Sequence, residues 1–340
     1  MRPIIDVHAH AIVPEVEVEA VVAGHPGLAA QRALDVLRNG SESQQVSGRM
    51  VASRIPQLTS IDRRMADMDA AGIDVQVVSP SPSQYHYWAD RELAEVVTSS
   101  ANRGIAALVA EEPSRLTGLG LIALQHPDAA VYALDDAVLT CGLAGVEISS
   151  FAPGVELSDE RLEPFWSRAA HLGAVVFLHP FGCSLDERLD RYYLSNTVGQ
   201  PVENAVALSH LIFSGVLDRH PGLKVVAAHG GGYLPTYLGR SDHAWRVRPE
   251  ARRCALPPSD YLGRITFDSI VHGPGALRAL IDAVGPQSVV LGSDYPFDMG
   301  NENPVAELRA AELSADVTRS ILSGNAERLG LSPAPTGVNS

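Results

Sequence analysis

Cysteine is scarce in this sequence: Cys141, Cys183 and Cys254 are the three among 340 residues. An odd number without paired spacing offers neither a disulfide framework nor a thiolate metal site. Basic charge is short as well, with 26 Lys and Arg against 40 Asp and Glu and a formal net charge of -14. The acidic residues are spread along the chain, which argues against nucleic acid or an anionic membrane as the main partner. An anionic substrate would have to be caught by locally placed arginines. No stretch is long enough and free enough of charge to span a bilayer. The start, MRPIIDVHAH, lacks the basic region, long apolar core and small-residue cleavage site of a secretory leader, so the expected compartment is the cytoplasm. What remains is 46% hydrophobic and 19% charged, the composition of a globular protein with a substantial core.

Short runs rich in Val, Ile and Leu alternate with longer segments of helical spacing, the pattern of repeated βα units around a parallel sheet. The expected strands are Ile4 to Val7, Val75 to Ser79, Gly118 to Ala123, Ala144 to Ile148, Ala174 to Leu178, Leu223 to Ala228, Ile265 to Asp268 and Val289 to Gly292. Eight such runs are what a closed (β/α)8 TIM-like barrel needs, and such barrels exceed ordinary domain length as one unit. Helices are expected over Ser60 to Ala71, Asp90 to Ala110, Asp128 to Cys141, Leu162 to His171, Val202 to Arg219 and Gly275 to Val284. The stretch from about residue 14 to 60 breaks the rhythm with polar sequence such as NGSESQQVSG, and is read as an insertion over the barrel mouth. Residues 1–330 are expected to form a single domain and 331–340, LSPAPTGVNS, a loose tail.

The chemistry-bearing residues cluster at strand ends. In Asp6-Val7-His8-Ala9-His10, strand alternation puts His8 and His10 on one side, where both imidazoles can bind one cation. His179 follows AVVFL, His229 follows KVVAA and Asp294 follows VVLGS, each at the position where a barrel places its chemistry. Three imidazoles and a carboxylate leave a zinc ion room for a water of lowered pKa. A further imidazole beside it, with the ordinary pKa near ~6.5, suits proton transfer. Two assignments stay open: His229 as acid/base with Asp294 a ligand, or His229 a ligand with Asp294 the base. Gly230, Gly231 and Gly232 lack the Lys-Ser/Thr of a phosphate-binding loop and fit close backbone approach instead. His272 follows the seventh strand near the mouth and is a candidate substrate contact. Tyr85, His86, Tyr87 and Trp88 either line the pocket or pack a loop onto the rim.

The HAH pair, the FLHP run, AAHGGG and GSDYPF together resemble the motifs of the amidohydrolase superfamily. More narrowly, the chain resembles the aminocarboxymuconate-semialdehyde decarboxylase family, over nearly its whole length and most densely from His179 to Phe297. The resemblance implies a metal-dependent hydrolase-type barrel, with His8, His10, His179 and Asp294 binding one divalent metal, usually zinc with manganese a further candidate, and no organic cofactor. It implies His229 as general acid/base. It also implies that Arg49 and Arg240 hold substrate carboxylates, the latter in a neighbouring subunit's site, hence at least a homodimer. A guanidinium fork suits that contact, while the plain reading makes both arginines surface residues. The muconate decarboxylases carry a tryptophan-containing run after the third histidine, whereas this chain reads Tyr192-Tyr193-Leu194-Ser195-Asn196-Thr197-Val198. Tyr193 and Asn196 in that run are the expected substrate contacts, and the departure moves the substrate away from the muconate type. The expected activity is non-oxidative decarboxylation of an unsaturated or aromatic carboxylate. The alternative is a metal-dependent hydrolase of an amide, lactone or ring-cleavage product. The expected partner is a small-molecule carboxylate.

Overall fold

A computed structural model describes residues 2–20 and 25–333. Eight parallel strands follow one another around a barrel: β1 (Ile5–Ala11), β2 (Val75–Pro80), β3 (Leu116–Leu121), β4 (Gly145–Ile148), β5 (Val175–Leu178), β6 (Lys224–Ala227), β7 (Ile265–Asp268) and β8 (Val289–Val290). Every expected strand is present, within a few residues of its expected ends. The chain beyond β8 closes the ring onto β1: the Val7 N–H donates to the Leu291 carbonyl at 2.9 Å, and the His10 N–H to the Tyr295 carbonyl at 2.8 Å. The strands read as Val- and Ile-rich runs because both of their faces are covered. Inside the barrel, Ile5, Val7, Val75, Val77, Val175, Phe177 and Val226 form one apolar cluster. A larger cluster, including Val146, Ile148, Ile265, Phe267, Val289 and Leu291, fills the space between the strands and the outer helices.

Helices follow the strands where sequence signals place them. Ser60 accepts a hydrogen bond from the Arg63 N–H to cap the helix Ile61–Ala71, and Gly72, at φ 70°, ends it in the left-handed conformation that glycine adopts without strain. Asp90 caps Arg91–Glu111 in the same way through the Leu93 N–H. The helix expected to run from Val202 to Arg219 is divided by Gly215, at φ 74°, into Gln200–Phe213 and Val216–Arg219.

The expected insertion is helical rather than loosely structured. It forms Pro14–Ala20, Pro26–Asn39 and Ser41–Thr59, with Gly40 at φ 78° making the elbow between the last two. A Cβ at Gly40 would collide with the Asp190 carbonyl, so this elbow sits directly on the segment after β5. Arg54 reaches Glu302 at 3.3 Å, tying the same insertion to the loop after β8. These are loops of the barrel's C-terminal end, where the polar strand-end residues lie. At the other end of the chain Leu331, at the start of the stretch expected to be a tail, is buried against the interior cluster, and residues 334–340 lie outside the described residues. Among the described residues no helix is long and apolar enough to cross a membrane.

Candidate metal centre

The registers of β1 and β2 shift between Asp6 and Ala9, a bulge that gives β1 an uneven alternation. Val7 packs in the interior cluster while the adjacent His8 ring lies 4.9 Å from Phe177 of that cluster, so consecutive residues both face inward. His8 and His10 remain on one side, their Nε2 atoms 3.1 Å apart. His8 Nε2 and His10 Nε2 each lie 3.3 Å from Asp294 Oδ1. His229 Nε2 stands 3.6 Å from Asp294 Oδ2. The rings of His179 and His229 are 4.8 Å apart and those of His10 and His179 4.9 Å. All five residues therefore converge on one point. The tightest ligand group is His8, His179, His229 and Asp294, each offering an atom within 4.8 Å of the others, and His10 falls just outside it while staying in contact with His8 and Asp294.

Both ring nitrogens of His179, His229 Nδ1 and Asp294 Oδ1 are buried without a hydrogen-bond partner. Buried polar atoms are ordinarily paired, so Asp294 Oδ1 and one ring nitrogen of His179, orphaned beside His8 and His229, fit a cation as their missing partner. The electrostatics agree. Burial, reinforced by repulsion from His229, His10 and His8, holds His179 well below its ordinary pKa, leaving it neutral with a free lone pair. Burial would raise Asp294, but attraction to the His8, His10 and His229 imidazoles, 3.3–3.6 Å away, holds it well below the carboxylate range. Burial also works against charge on His8, yet the Asp294 and Asp268 carboxylates outweigh it and raise the imidazole to about 10. A proton on His8 thus fills the place between carboxylates that a metal ion can take. His229 and Asp294 hold φ of 53° and 56°, left-handed for residues with a Cβ, which is a feature of functional sites where the surroundings over-determine the backbone.

Sequence reading did not find the residues behind this cluster. Asp268 Oδ2, at the end of β7, lies 2.6 Å from His8 Nδ1, and Asp268 Oδ1 accepts from the Gly230 N–H at 2.9 Å. It therefore fixes the His8 imidazole and the backbone after His229 at once. Ser79 Oγ lies 3.2 Å from His10 Nδ1 and donates to Glu147, which also accepts from the Tyr85 hydroxyl at 2.6 Å. Burial raises the Glu147 pKa, while the facing His10 charge opposes that shift. Below the barrel rim Asp6 accepts from the His8 N–H, the Ser293 N–H and hydroxyl and the Gln76 amide, and Arg64 donates to Gln76 and to the His10 carbonyl at 2.6 Å each. The available signal was a lone charge in or at the end of an apolar strand, as in GVEI and ITFD.

A cavity of about 440 Å³ opens beside the cluster, bordered by His229 and Asp294 and by the expected substrate residues Asn196 and His272. Tyr193 is half-buried and hydrogen-bonded to Ser47 of the insertion, outside the lining of that cavity. Arg49 and Arg240 are both exposed and also lie outside it, so one chain brings neither to the metal cluster. Tyr85 is buried against Glu147, its ring stacked 5.2 Å from Tyr87, and Trp88 packs 5.1 Å from His25, so this group supports the rim. The glycines after His229 do permit close approach: a Cβ at Gly231 would meet the Phe267 ring at 2.7 Å, and one at Gly232 would collide with the Pro201 carbonyl.

The amidohydrolase family model matches residues 5–329. The chain belongs to the amidohydrolase family. Among curated members, the 2-amino-3-carboxymuconate-6-semialdehyde decarboxylase of Dictyostelium discoideum is 36% identical over 80% of this chain and 77% of its own. The crystal structure of 5-carboxyvanillate decarboxylase from Sphingomonas paucimobilis is 25% identical, with a TM-score of 0.80 over 97% of this chain and 99% of that one. A 5-carboxyvanillate decarboxylase from Novosphingobium aromaticivorans, complexed with manganese and 4-hydroxy-3-methoxy-5-nitrobenzoic acid, shares the fold at 22% identity, with a TM-score of 0.80 over 96% of each chain. These relatives and neighbours within the amidohydrolase family are decarboxylases.

Proposed function

We propose that this amidohydrolase is a metal-dependent, non-oxidative decarboxylase of an unsaturated or aromatic carboxylate. His8, His10, His179 and Asp294 hold one divalent ion in this reading, and His229 moves the proton. The observation that carries it is the unequal placement of two imidazoles: His10 is fully buried among the ligand atoms, whereas the His229 side chain keeps 18% of its surface exposed and borders the cavity. A ligand needs the former position and a group that meets substrate needs the latter. Zinc is the expected ion, since three imidazoles and one carboxylate suit its four-coordinate preference, and manganese is the other candidate. When bound, the cation supplies Lewis acidity to the substrate's oxygen atoms.

The remaining work falls to the chain's own residues. Loss of carbon dioxide replaces a C–COO⁻ bond by C–H, so one proton must reach the carbon that the carboxylate leaves. His229 stands at the cavity wall to donate it, and Asp294 Oδ2 at 3.6 Å helps hold the imidazole in position. Asp268 fixes the His8 ring, and Ile270, Val271, Leu280 and Met299 give the cavity an apolar portion for the body of the substrate. A contact from Arg240 to substrate would come from a second copy of the chain.

Decarboxylation and hydrolysis separate cleanly in oxygen-18 water. Carbon dioxide release with no label in the organic product is expected, whereas label in that product would move the assignment to a hydrolase. Asp268 gives a second test. Asp268→Asn should weaken metal affinity by about 10–100-fold, the range for partners that orient a ligand, measured by chelator competition on folded protein. Unchanged affinity would remove Asp268 from the support of His8.

A further inference from the structure

The cavity beside the ligand cluster has a mixed lining, in which His229, Asp294, Asn196 and His272 occur together with the apolar Ile270, Val271, Ala276, Ala279, Leu280 and Met299. Among the described residues no lysine or arginine lines it. Ala276, Ala279 and Leu280 stand three and four positions apart on the helix Pro274–Val284 and so share one face, with two methyl groups where longer side chains would fill the space. A second carboxylate placed among the apolar residues would be drawn out of water with no lysine or arginine of the described lining to meet it, which is unfavourable even before the chain's net charge of -14 is considered. An alkyl group placed here would exchange water for hydrocarbon contact.

Resting on the decarboxylase reading above, we propose that the substrate is an aryl carboxylate whose body carries an uncharged alkyl group, with Ala276 and Ala279 setting the room for that group. The reacting carboxylate faces the metal cluster and His229. The alkyl substituent lies between Ile270, Leu280 and Met299. This separates the chain from enzymes whose substrates bear a second carboxylate in the same place.

The test uses metal-loaded protein and 2-nitrophenols, whose nitro group presents two oxygens like a carboxylate and cannot leave as carbon dioxide. Each free ring position is substituted in turn with hydrogen, methyl, propyl or sulfonate, the last a fixed anion that coordinates metals poorly. Calorimetric titration at the best position should show affinity rising about fourfold per buried carbon from hydrogen to propyl. Sulfonate there should bind at least about tenfold more weakly than hydrogen, as expected for a buried unpaired charge. Ala279→Phe should erase the propyl gain, with Ala276→Leu as a second variant should the first fold poorly. Sulfonate binding tighter than hydrogen, no alkyl gain at any position, or a gain that survives both variants would overturn the proposal. Carbon dioxide release from the corresponding 2-hydroxybenzoates is read separately: its absence from every acid would overturn the decarboxylase reading while the binding series still decides the character of the cavity.

Discussion

Replacing His179 or Asp294 with alanine should empty the metal site and lower turnover by more than ~100-fold, beyond the loss typical of a partner that only orients a ligand. His179 is the sharper case. Both of its ring nitrogens are buried without a hydrogen-bond partner, so in a metal-free protein the side chain would be a polar group held at a cost. Its depressed pKa, caused by burial and the surrounding imidazoles, keeps the lone pair available that a cation requires. Asp294 is the only carboxylate in the tightest ligand group, and the positive charge on His8 helps to keep it ionised. Elemental analysis of folded variants is the measurement, with about one equivalent expected in the parent protein and none in either variant. One equivalent retained by both would sink the ligand assignment. Binding to the folded state alone also stabilises, by about 2.7 kcal/mol at a free metal concentration 100 times Kd. Chelation should therefore lower the melting temperature of the parent and leave that of His179→Ala unmoved.

The convergence of His8, His10, His179, His229 and Asp294 was legible in sequence because each lies in or just after an apolar run, and a run of Val and Ile buried on both faces is a strong strand signal. KVVAA before His229 and VVLGS before Asp294 place those side chains at a barrel rim without any knowledge of tertiary contacts. The residues behind the cluster were not legible for the opposite reason. Asp268 touches His8 across 260 positions, and Ser79 meets Glu147 across 68, so no local pattern announces either pair. Glu147 within GVEI looks like the polar face of a half-exposed strand, yet it is fully buried and satisfied by Ser79 and Tyr85. The bulge in β1 is invisible for a similar cause, being fixed by the registers of β1 against β2 rather than by DVHAH itself. The helices of the insertion were not named from the sequence because Pro26–Asn39 and Ser41–Thr59 bury only Gln57 and Leu58 between them, so burial imposes no continuous apolar face on them.

His229→Asn should keep the metal and lose at least ~100-fold in turnover, the lower end for a positioned acid or base. Asparagine retains a hydrogen-bonding side chain of smaller size but cannot carry a proton between two states near neutral pH. It also suits the backbone, since asparagine tolerates the left-handed conformation that His229 occupies at φ 53°, so the variant should fold. The geometry gives two distinguishable consequences. His229 Nε2 lies 3.6 Å from Asp294, farther than His10 Nε2 at 3.3 Å, and the His229 ring borders the cavity, so its removal should spare the ligand set and strike proton transfer. Yet His229 also belongs to the tightest four-residue ligand group, and a metal held there would leave with it. Metal content and turnover measured on one preparation therefore decide between the assignments. Metal retained with turnover lost places His229 in proton transfer. Metal lost moves His229 into the ligand shell, with His10 displaced from it and Asp294 the remaining candidate base. Turnover unchanged with metal retained removes His229 from the mechanism, and the proton must then reach the carbon from another group bordering the cavity, of which His272 is the nearest in chemical kind.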